Sequence, residues 1–378
     1  MARISFKSDL DFLKANVEVV ELGCTPQARV AVATAYQGRV MTSTLGGPEG
    51  PSYGWLNRPF IARGTEDDPL FNNYGGEDRF WLGPEAGQFA LFFTDGQPFD
   101  TDHWNSPKGF TTGPFDVTGR DERSVAMTAE FDVTNYAGTE FHCAVKRAIS
   151  ILDPGQVASC LGTPAPDGVQ MVAFESDNTL TNTGPGAWSP RDGLVCIWIL
   201  GMMKGLDNGK TVIPLKRGDE TQPGPKAKMD YFGQLTPDRG FVGDDHVWFK
   251  VDGLHRGKIG VAPAWAKNVF GSYDIDNGQL TIVQFTLPDD AAEQPYPNST
   301  WDIQDDPLAG DPINSYNDPG TEDGQATFFE LESSSPAARL EPGDSITHVH
   351  RTCHFEGQFD ALNDLSVKVL GVDLNKLL

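Results

Sequence analysis

Long apolar runs and signal-like segments are missing from this sequence. No window approaches the roughly 18 consecutive apolar residues that a membrane-spanning helix needs. The opening stretch MARISFKSDLDFLKANVEVVEL also lacks an apolar core of signal-peptide length. We therefore expect no membrane partner. The default location is cytoplasmic, or secreted or periplasmic if a leader has been removed.

Cysteine and positive charge are also scarce. The five cysteines are odd in number and form no CxxC pair, so we expect buried free thiols rather than a disulfide framework. Lysine and arginine number 29 against 53 acidic residues, which gives a net charge of -24. Such a surface repels phosphates, and we expect no nucleic-acid partner. The excess of carboxylates is typical of a soluble surface, and it also suits a cation or sugar site.

Short stretches rich in β-branched and aromatic residues make up most of the chain. They include EFHCAVKRAISIL, LVCIWILGMM and SITHVHRTCHF, and most are bounded by Gly, Pro, Asn or Asp. Because no helices alternate with them, they predict an all-β fold of stacked antiparallel sheets. We expect a single domain over residues 1–378. Two long polar segments, 205–230 and 288–325, are predicted loops, and the second is a candidate binding loop.

One helix is predicted near the N-terminus. In Ser8–Asn16, the apolar residues Leu10, Phe12 and Leu13 recur at helical spacing behind a serine that suits the N-cap. This pattern predicts a short peripheral helix within residues 1–20.

The stretch FELESSSPAARLEPGDSITHVHRTCHF concentrates charge on alternate positions. Successive strand residues point to opposite faces, so Glu330 and Glu332 share one face while the apolar residues between them point to the core. By the same argument His348, His350 and His354 share a face of the next strand. If the two strands pair, two carboxylates and up to three imidazoles meet.

Three readings of this shared face remain open. A carboxylate beside an imidazole suits general acid–base catalysis, with Glu332 as base and His350 as acid. The H-x-H pattern with a glutamate also suits a divalent metal. The third reading is a polar face in contact with solvent. The sequence does not choose among them.

A glycine-rich segment, GGEDRFWLGPEAGQF, places charge beside aromatic rings. Arg79, Trp81 and Glu85 suit a sugar site, in which rings pack on C–H patches and charged groups bind hydroxyls. The alternative is a buried arginine–carboxylate pair with Trp81 in the core. Nearby, His103 and Trp104 are a candidate acid and a candidate stacking residue at the rim of such a site.

The aspartate-rich segment WDIQDDPLAGDPINSYNDPG offers further contacts. Asn314, Tyr316 and Asp318 alternate along it and are candidate ligand contacts. Its aspartates also suit calcium through oxygen ligands, but the EF-hand spacing is absent. Turn formation by Asp and Asn is the structural alternative.

Three of these stretches resemble aldose 1-epimerases (galactose mutarotases). LESSSP followed by LEPGDSITHVHRTCHF is similar to the family's C-terminal strands, and GGEDRFW is similar to its Gly-Gly, Arg and Trp segment. GTEFHCAVKRAISIL followed by TLTNTGPGAW is similar to the family's central strand pair. The resemblance implies that Glu332 is the catalytic base and that Arg79 grips substrate. The family's acid histidine follows a Thr-Asn pair, where this chain has Thr183. The chain is identified as a member of an uncharacterised bacterial family within the galactose mutarotase-like superfamily.

This resemblance implies a β-supersandwich with a carbohydrate cleft on one concave sheet. The leading hypothesis is an enzyme that performs acid–base chemistry on a mono- or oligosaccharide, as an epimerase, lyase or glycosidase. Glu332 would be the base and His350 or His103 the acid. Substrate contacts would come from Arg79, Trp81, Glu85, Trp104, Asn314, Tyr316, Asp318, Glu330 and His348. No cofactor is required by this chemistry, although a divalent metal is an alternative. The competing hypotheses are a non-catalytic carbohydrate-binding module and a purely structural sandwich.

Overall fold

The structure is a computed structural model that describes residues 3–64, 74–216 and 224–378. Within these ranges no helix is both long and apolar enough to cross a membrane. The helices are short and the strands are numerous, as the sequence predicts. The helices are α1 (Phe6–Asn16), α2 (Arg58–Arg63), α3 (Pro154–Leu161) and α4 (Phe359–Val369).

Helix α1 confirms the predicted N-terminal helix but begins earlier. Its N-cap is Ser5, whose hydroxyl accepts a hydrogen bond from the backbone N–H of Ser8 at 3.3 Å. Leu10 and Leu13 are buried, as their spacing predicts. The other helices were not predicted, because their apolar stretches are too short to stand out from strands. Helix α3 nevertheless has a readable signal, a capping box between Asp153 and Gln156.

Antiparallel pairing organises the strands into three sheets within the described residues. The smallest contains β1 (Val19–Gly23), β2 (Arg29–Ala33) and β3 (Arg39–Thr44). The second has the strand order β11 (Ala227–Lys228), β14 (Gly257–Val261), β17 (Ile313–Asn317), β18 (Phe328–Ser334), β9 (Cys196–Lys204) and β4 (Arg79–Gly83). The third has the order β12 (Gly240–Val242), β13 (His246–Lys250), β10 (Gly209–Pro214), β15 (Val269–Asp274), β16 (Gln279–Phe285), β19 (Ser345–Glu356), β8 (Gln170–Asn182), β7 (Glu140–Ile151), β6 (Ser124–Thr134) and β5 (Asp116–Arg120).

The second and third sheets face each other across the core. Phe329 and Leu331 of β18 pack in one apolar cluster with Phe285 of β16, and Ile199 of β9 packs in another with Val145 of β7. Alternation along each strand explains this, since every second side chain points between the sheets. The predicted all-β fold of stacked antiparallel sheets is confirmed.

The pairing of the glutamate strand with the histidine strand, on which the shared face depends, does not occur. β18 pairs with β17 and β9, whereas β19 lies in the other sheet between β16 and β8. His348 Nε2 and His350 Nδ1 each lie 2.8 Å from the hydroxyl of Ser333, which is on the inner face of β18. Both rings are fully buried, and burial lowers their pKa to about 3 and about 4. They are therefore neutral groups between the sheets, on the opposite side of β18 from Glu330 and Glu332.

A buried charged network also lies between the sheets. Asp78, which precedes β4, accepts a hydrogen bond from Arg147 of β7 at 2.5 Å, and neither side chain is exposed. Glu77 lies 2.8 Å from His354 Nε2, again with neither group exposed. Such pairs remain in a low-dielectric interior only when each charge is compensated. The even spacing of the histidines therefore reflects an inward polar face.

The two predicted loops are partly strands. Strand β10 lies inside the predicted loop 205–230, and residues 217–223 of that loop lie outside the described residues. Strand β17 lies inside the predicted loop 288–325 and pairs with both β14 and β18. Aspartates and prolines around β17 hid this strand, since those residues are depleted in strands. All five cysteines are free, as predicted, but only Cys143, Cys196 and Cys353 are also buried.

Candidate functional site

A cleft lies on the face of the second sheet that points away from the core. It contains about 610 Å³ of space not filled by atoms, part of which is open to solvent. Loops before and after the strands form its aromatic walls. Its lining residues are Arg79, Trp81, Glu85, Thr101, Trp104, Trp198, Leu200, Phe232, Arg256, Lys258, Trp301, Tyr316, Asp318, Phe328 and Glu330.

Strand register explains why these side chains meet. Lys258, Tyr316 and Glu330 are direct neighbours on β14, β17 and β18. Directly opposed residues on adjacent antiparallel strands present their side chains on the same face of the sheet. Glu332 occupies the next outward position of β18 and is opposed by Asn314 on one side and Leu200 on the other. The period-two prediction for the two glutamates is thus confirmed.

Glu330 forms a buried pair with Arg79. The guanidinium donates to Glu330 Oε1 at 2.6 Å, with the side chains 4% and 9% exposed. Burial, reinforced by the charge of Glu332, raises the pKa of Glu330 to about 8 despite the nearby arginine. Burial also lowers the pKa of Arg79. The arginine stacks on Trp81, with its guanidinium carbon 3.8 Å from the ring centroid. Glu330 is therefore set up to carry a proton near neutral pH.

Glu332 is held by a second cation. Its Oε2 accepts hydrogen bonds from Lys258 Nζ and from the Trp198 indole N–H, both at 3.0 Å. The charges of Glu332 and its neighbours outweigh burial and raise the pKa of Lys258, so the lysine stays charged. Oε1 of Glu332 has no hydrogen-bond partner within the described residues. One carboxylate oxygen is thus fixed while the other is unpaired.

A tyrosine–aspartate pair lies next to Lys258. The hydroxyl of Tyr231 donates to Asp311 Oδ2 at 2.6 Å. Burial raises the pKa of Asp311 to about 6 and that of Tyr231 well above its usual value. Lys258 Nζ lies 5.8 Å from the centroid of the Tyr231 ring. The pair therefore forms a polar wall beside the lysine that holds Glu332.

Glu85 fixes two aromatic walls of the cleft. Its two carboxylate oxygens accept hydrogen bonds from the indole N–H groups of Trp104 and Trp301 at 3.2 and 3.1 Å. Phe232 packs edge-on against both Trp301 and Tyr316, at centroid distances of 5.7 and 5.9 Å. Concave sites of this kind, mostly apolar with a few converging polar groups, are typical of small-molecule binding.

Comparison with known proteins places the chain in a family. A family model described as "Family of unknown function (DUF6786)" matches residues 4–378. The chain belongs to this family. No curated protein sequence matches it. The chain is thus a DUF6786 protein, and the family description assigns no activity.

Several solved structures resemble this DUF6786 chain. The Slr1438 protein of Synechocystis sp. PCC 6803 has a TM-score of 0.53 and 13% identity, over 94% of this chain and 99% of that chain. A putative aldose 1-epimerase of Escherichia coli K12 has a TM-score of 0.48 and 14% identity, over 90% and 99% of the two chains. A galactose mutarotase-like protein of Lactobacillus casei ATCC 334 has a TM-score of 0.47 and 10% identity, over 90% and 100%. At these identities the likeness concerns the fold alone.

Most of the predicted contact residues come together in the DUF6786 cleft, and their roles remain predictions. Its lining includes Arg79, Trp81, Glu85, Trp104, Tyr316, Asp318 and Glu330. Glu332 is fully buried beside Lys258 and Trp198, and Asn314 bonds the backbone carbonyl of Ile259 at 3.3 Å. The predicted histidines lie elsewhere. His348 and His350 are between the sheets, and His103 is a partly exposed residue bonded to Asp100 at 2.6 Å.

Sequence reasoning missed two cations of the cleft, of which Lys258 pairs with Glu332. Arg256 and Lys258 line the cleft from the edge of β14, together with Phe232 and Trp198 of other segments. The segment RGK spaces two cations by two positions, which places both on one face of a strand. That signal was present, but it did not indicate that Lys258 would pair with Glu332.

The residues of the H-x-H plus glutamate arrangement do not come together. Glu332 and the two histidines lie on opposite sides of β18, as described above. More generally, no three His, Cys, Asp or Glu side chains within residues 3–64, 74–216 and 224–378 are arranged to hold a metal ion.

Protonation of Glu330 predicts a pH dependence of stability. Between pH 4.5 and about 8 the folded chain keeps a proton on Glu330 that the unfolded chain releases. The free energy of unfolding should therefore fall as pH rises through this window, by up to about 1.4 kcal/mol per pH unit from this group. Glu330→Gln, which is neutral at every pH, should remove this part of the slope. Urea unfolding between pH 5 and 9 measures it.

The control for this measurement is Glu341→Gln, at an exposed position of the turn before β19. It should keep the wild-type slope. If the free energy of unfolding of Glu330→Gln depends on pH as that of the wild type does, Glu330 is ionised throughout the window.

Proposed function

We propose that the chain is a carbohydrate-active enzyme that performs acid–base chemistry on a sugar or uronate bound in this cleft. The observation that carries the proposal is a pair of outward glutamates on β18, each bonded to its own buried cation. Glu330 lines an aromatic-walled cleft, and Glu332 is buried beside it. Neighbouring carboxyl groups in different environments can serve as acid and base in one reaction.

The proton donor in this proposal is Glu330 rather than a histidine. Its raised pKa keeps a proton available near neutral pH. Glu332, paired with the ammonium of Lys258, is the base, the role that the sequence resemblance implies for it. Since Glu332 is fully buried, substrate reaches its unpaired oxygen only when the surrounding side chains shift.

The simplest reaction of this kind is interconversion of anomers. Glu332 removes the proton of the anomeric hydroxyl while Glu330 protonates the ring oxygen, and the bond between that oxygen and the anomeric carbon breaks. Rotation about the adjacent carbon–carbon bond and the reverse proton transfers close the ring as the other anomer. With a uronate or glycoside as substrate, the same two groups would serve elimination or hydrolysis.

A non-catalytic carbohydrate-binding module is the second candidate. The aromatic walls favour it, because Trp301 and Tyr316 offer ring surfaces for sugar C–H groups without any proton transfer. In that case Glu85 would serve only to orient the two indoles.

Turnover on a panel of sugars tests the proposed function. Purified protein is mixed with free aldoses, unsaturated uronates and aryl glycosides, with and without a chelator, and anomer exchange, elimination and hydrolysis are followed by NMR. We expect one activity that the chelator does not abolish. Saturable binding without turnover of any substrate would support the binding module instead.

A further inference from the structure

Arg256 differs from the other cations of the cleft because no carboxyl group is bonded to it within the described residues. Arg79 is paired with Glu330 and Lys258 with Glu332. The exposed side chain of Arg256 forms no salt bridge or hydrogen bond within the described part of the chain. Acidic residues outnumber basic residues by 53 to 29 in this chain, so an arginine in a cleft without a carboxylate partner is unexpected.

Aromatic stacking holds this arginine in place. Its guanidinium carbon lies 3.9 Å from the centroid of the Phe232 ring and 5.2 Å from that of Trp301. Stacking on ring faces leaves the N–H groups at the guanidinium edge free to donate. The edge is therefore available to a ligand, and the side chain is oriented before the ligand arrives.

Asp318 interacts electrostatically with Arg256, but it is already engaged in other hydrogen bonds. Its Oδ1 accepts hydrogen bonds from the hydroxyl of Thr327 and from the backbone N–H of Gly320. Burial raises the pKa of Asp318, which makes it a weaker partner for a cation. Asp318 thus leaves the guanidinium of Arg256 without a paired anion.

Arg256 lies on the same face of the chain as Lys258, the partner of Glu332. It lies two residues before Lys258, so the two point to the same face, about 6.6 Å apart along the chain. Lys258 holds Glu332 at the floor, whereas Arg256 is exposed. A group bound by Arg256 would therefore sit toward the mouth while the reacting carbon lies over the glutamates.

We propose that Arg256 selects sugars that carry an anionic substituent, a carboxylate, phosphate or sulfate, away from the reacting carbon. This inference rests on the proposed function and adds a substrate class to it. Arginine suits the task because its planar fork matches the oxygens of such groups. The overall charge of -24 repels anions, so any preference for them must arise locally.

Matched sugar pairs test the inference. Calorimetry at neutral pH compares glucose with glucuronate, glucose 6-sulfate and glucose 6-phosphate, and galactose with its corresponding derivatives. For at least one skeleton, we expect a charged member to bind about 10- to 100-fold more tightly than the neutral sugar, the range of a hydrogen-bonded ionic contact. The derivative with the highest ratio identifies the anionic group.

Substitution then assigns the preference to this side chain. In Arg256→Gln the ratio of charged to neutral affinity should fall close to one. In Arg191→Gln, an exposed arginine outside the cleft, the ratio should stay at the wild-type value. The preference should also weaken as salt is raised, because Arg256 is exposed.

Two results separate this inference from the proposed function. Equal affinity for neutral and charged sugars, or a ratio that survives in Arg256→Gln, overturns the anion selection and leaves the sugar site standing. Absence of binding to every member of the panel overturns both.

Discussion

Replacing Glu332 by glutamine is expected to lower the turnover number by about 10²- to 10⁴-fold, the usual contribution of a general base. The amide has nearly the same shape, and its oxygen can still accept from Lys258 and Trp198. It has no lone pair basic enough to take a proton from a hydroxyl. Affinity for the sugar should therefore change far less than turnover. Single-turnover rates and calorimetric affinities, measured on the substrate found in the panel, separate the two effects.

Folding must be controlled in this experiment. Glu332→Gln leaves the buried ammonium of Lys258 without its anion, which is costly in a protein interior. The double variant Glu332→Gln with Lys258→Gln removes both charges and should recover stability without recovering turnover. Glu341→Gln, exposed in the turn before β19, should leave both unchanged. Full turnover in the folded Glu332→Gln protein would exclude Glu332 as the base.

Local patterns predicted the faces of the strands, but not which strands meet. The alternation in FELES correctly placed Glu330 and Glu332 opposite Phe329 and Leu331, because the period of a strand depends only on its own residues. Strand pairing is set by the whole fold. The turn rich in proline and glycine after β18 resembles a hairpin connection, yet it carries the chain into the other sheet.

The cations of the site show the same limit. Arg79 is 251 positions from Glu330, and Lys258 is 74 positions from Glu332. One sequence gives no means of matching these partners across such distances. Conversely, the evenly spaced histidines had the pattern of a solvated or catalytic face. A buried polar layer has the same pattern, and only the packing of Ser333 against His348 and His350 distinguishes the two.

That buried layer connects the face behind the cleft to the opposite sheet. Arg147 of β7 reaches across the core to Asp78, at the start of the segment that continues into Arg79. Ser176 also donates to Asp78, at 2.7 Å. The layer therefore fixes the backbone from which Arg79 enters the cleft, and its stability supports the geometry of the site.

Replacing Arg147 by methionine should lower the free energy of unfolding by about 3–5 kcal/mol, the cost of leaving a buried charge without its partner. Methionine fills a similar space but donates no hydrogen bond. The carboxylate of Asp78 and the carbonyl of Gly38, which accepts from Arg147 at 3.3 Å, both lose a donor. Urea unfolding at pH 7 measures the loss.

Two further variants make this result interpretable. Lys368→Met breaks an ion pair with Asp364 whose side chains are 53% and 50% exposed, and it should change stability little. The double variant Arg147→Met with Asp78→Asn removes both buried charges and should recover part of the lost stability. Its free energy of unfolding can be measured even if the single variant does not fold. If Arg147→Met and Lys368→Met lower the free energy of unfolding equally, water reaches the interior pair, because solvation then replaces the missing partner.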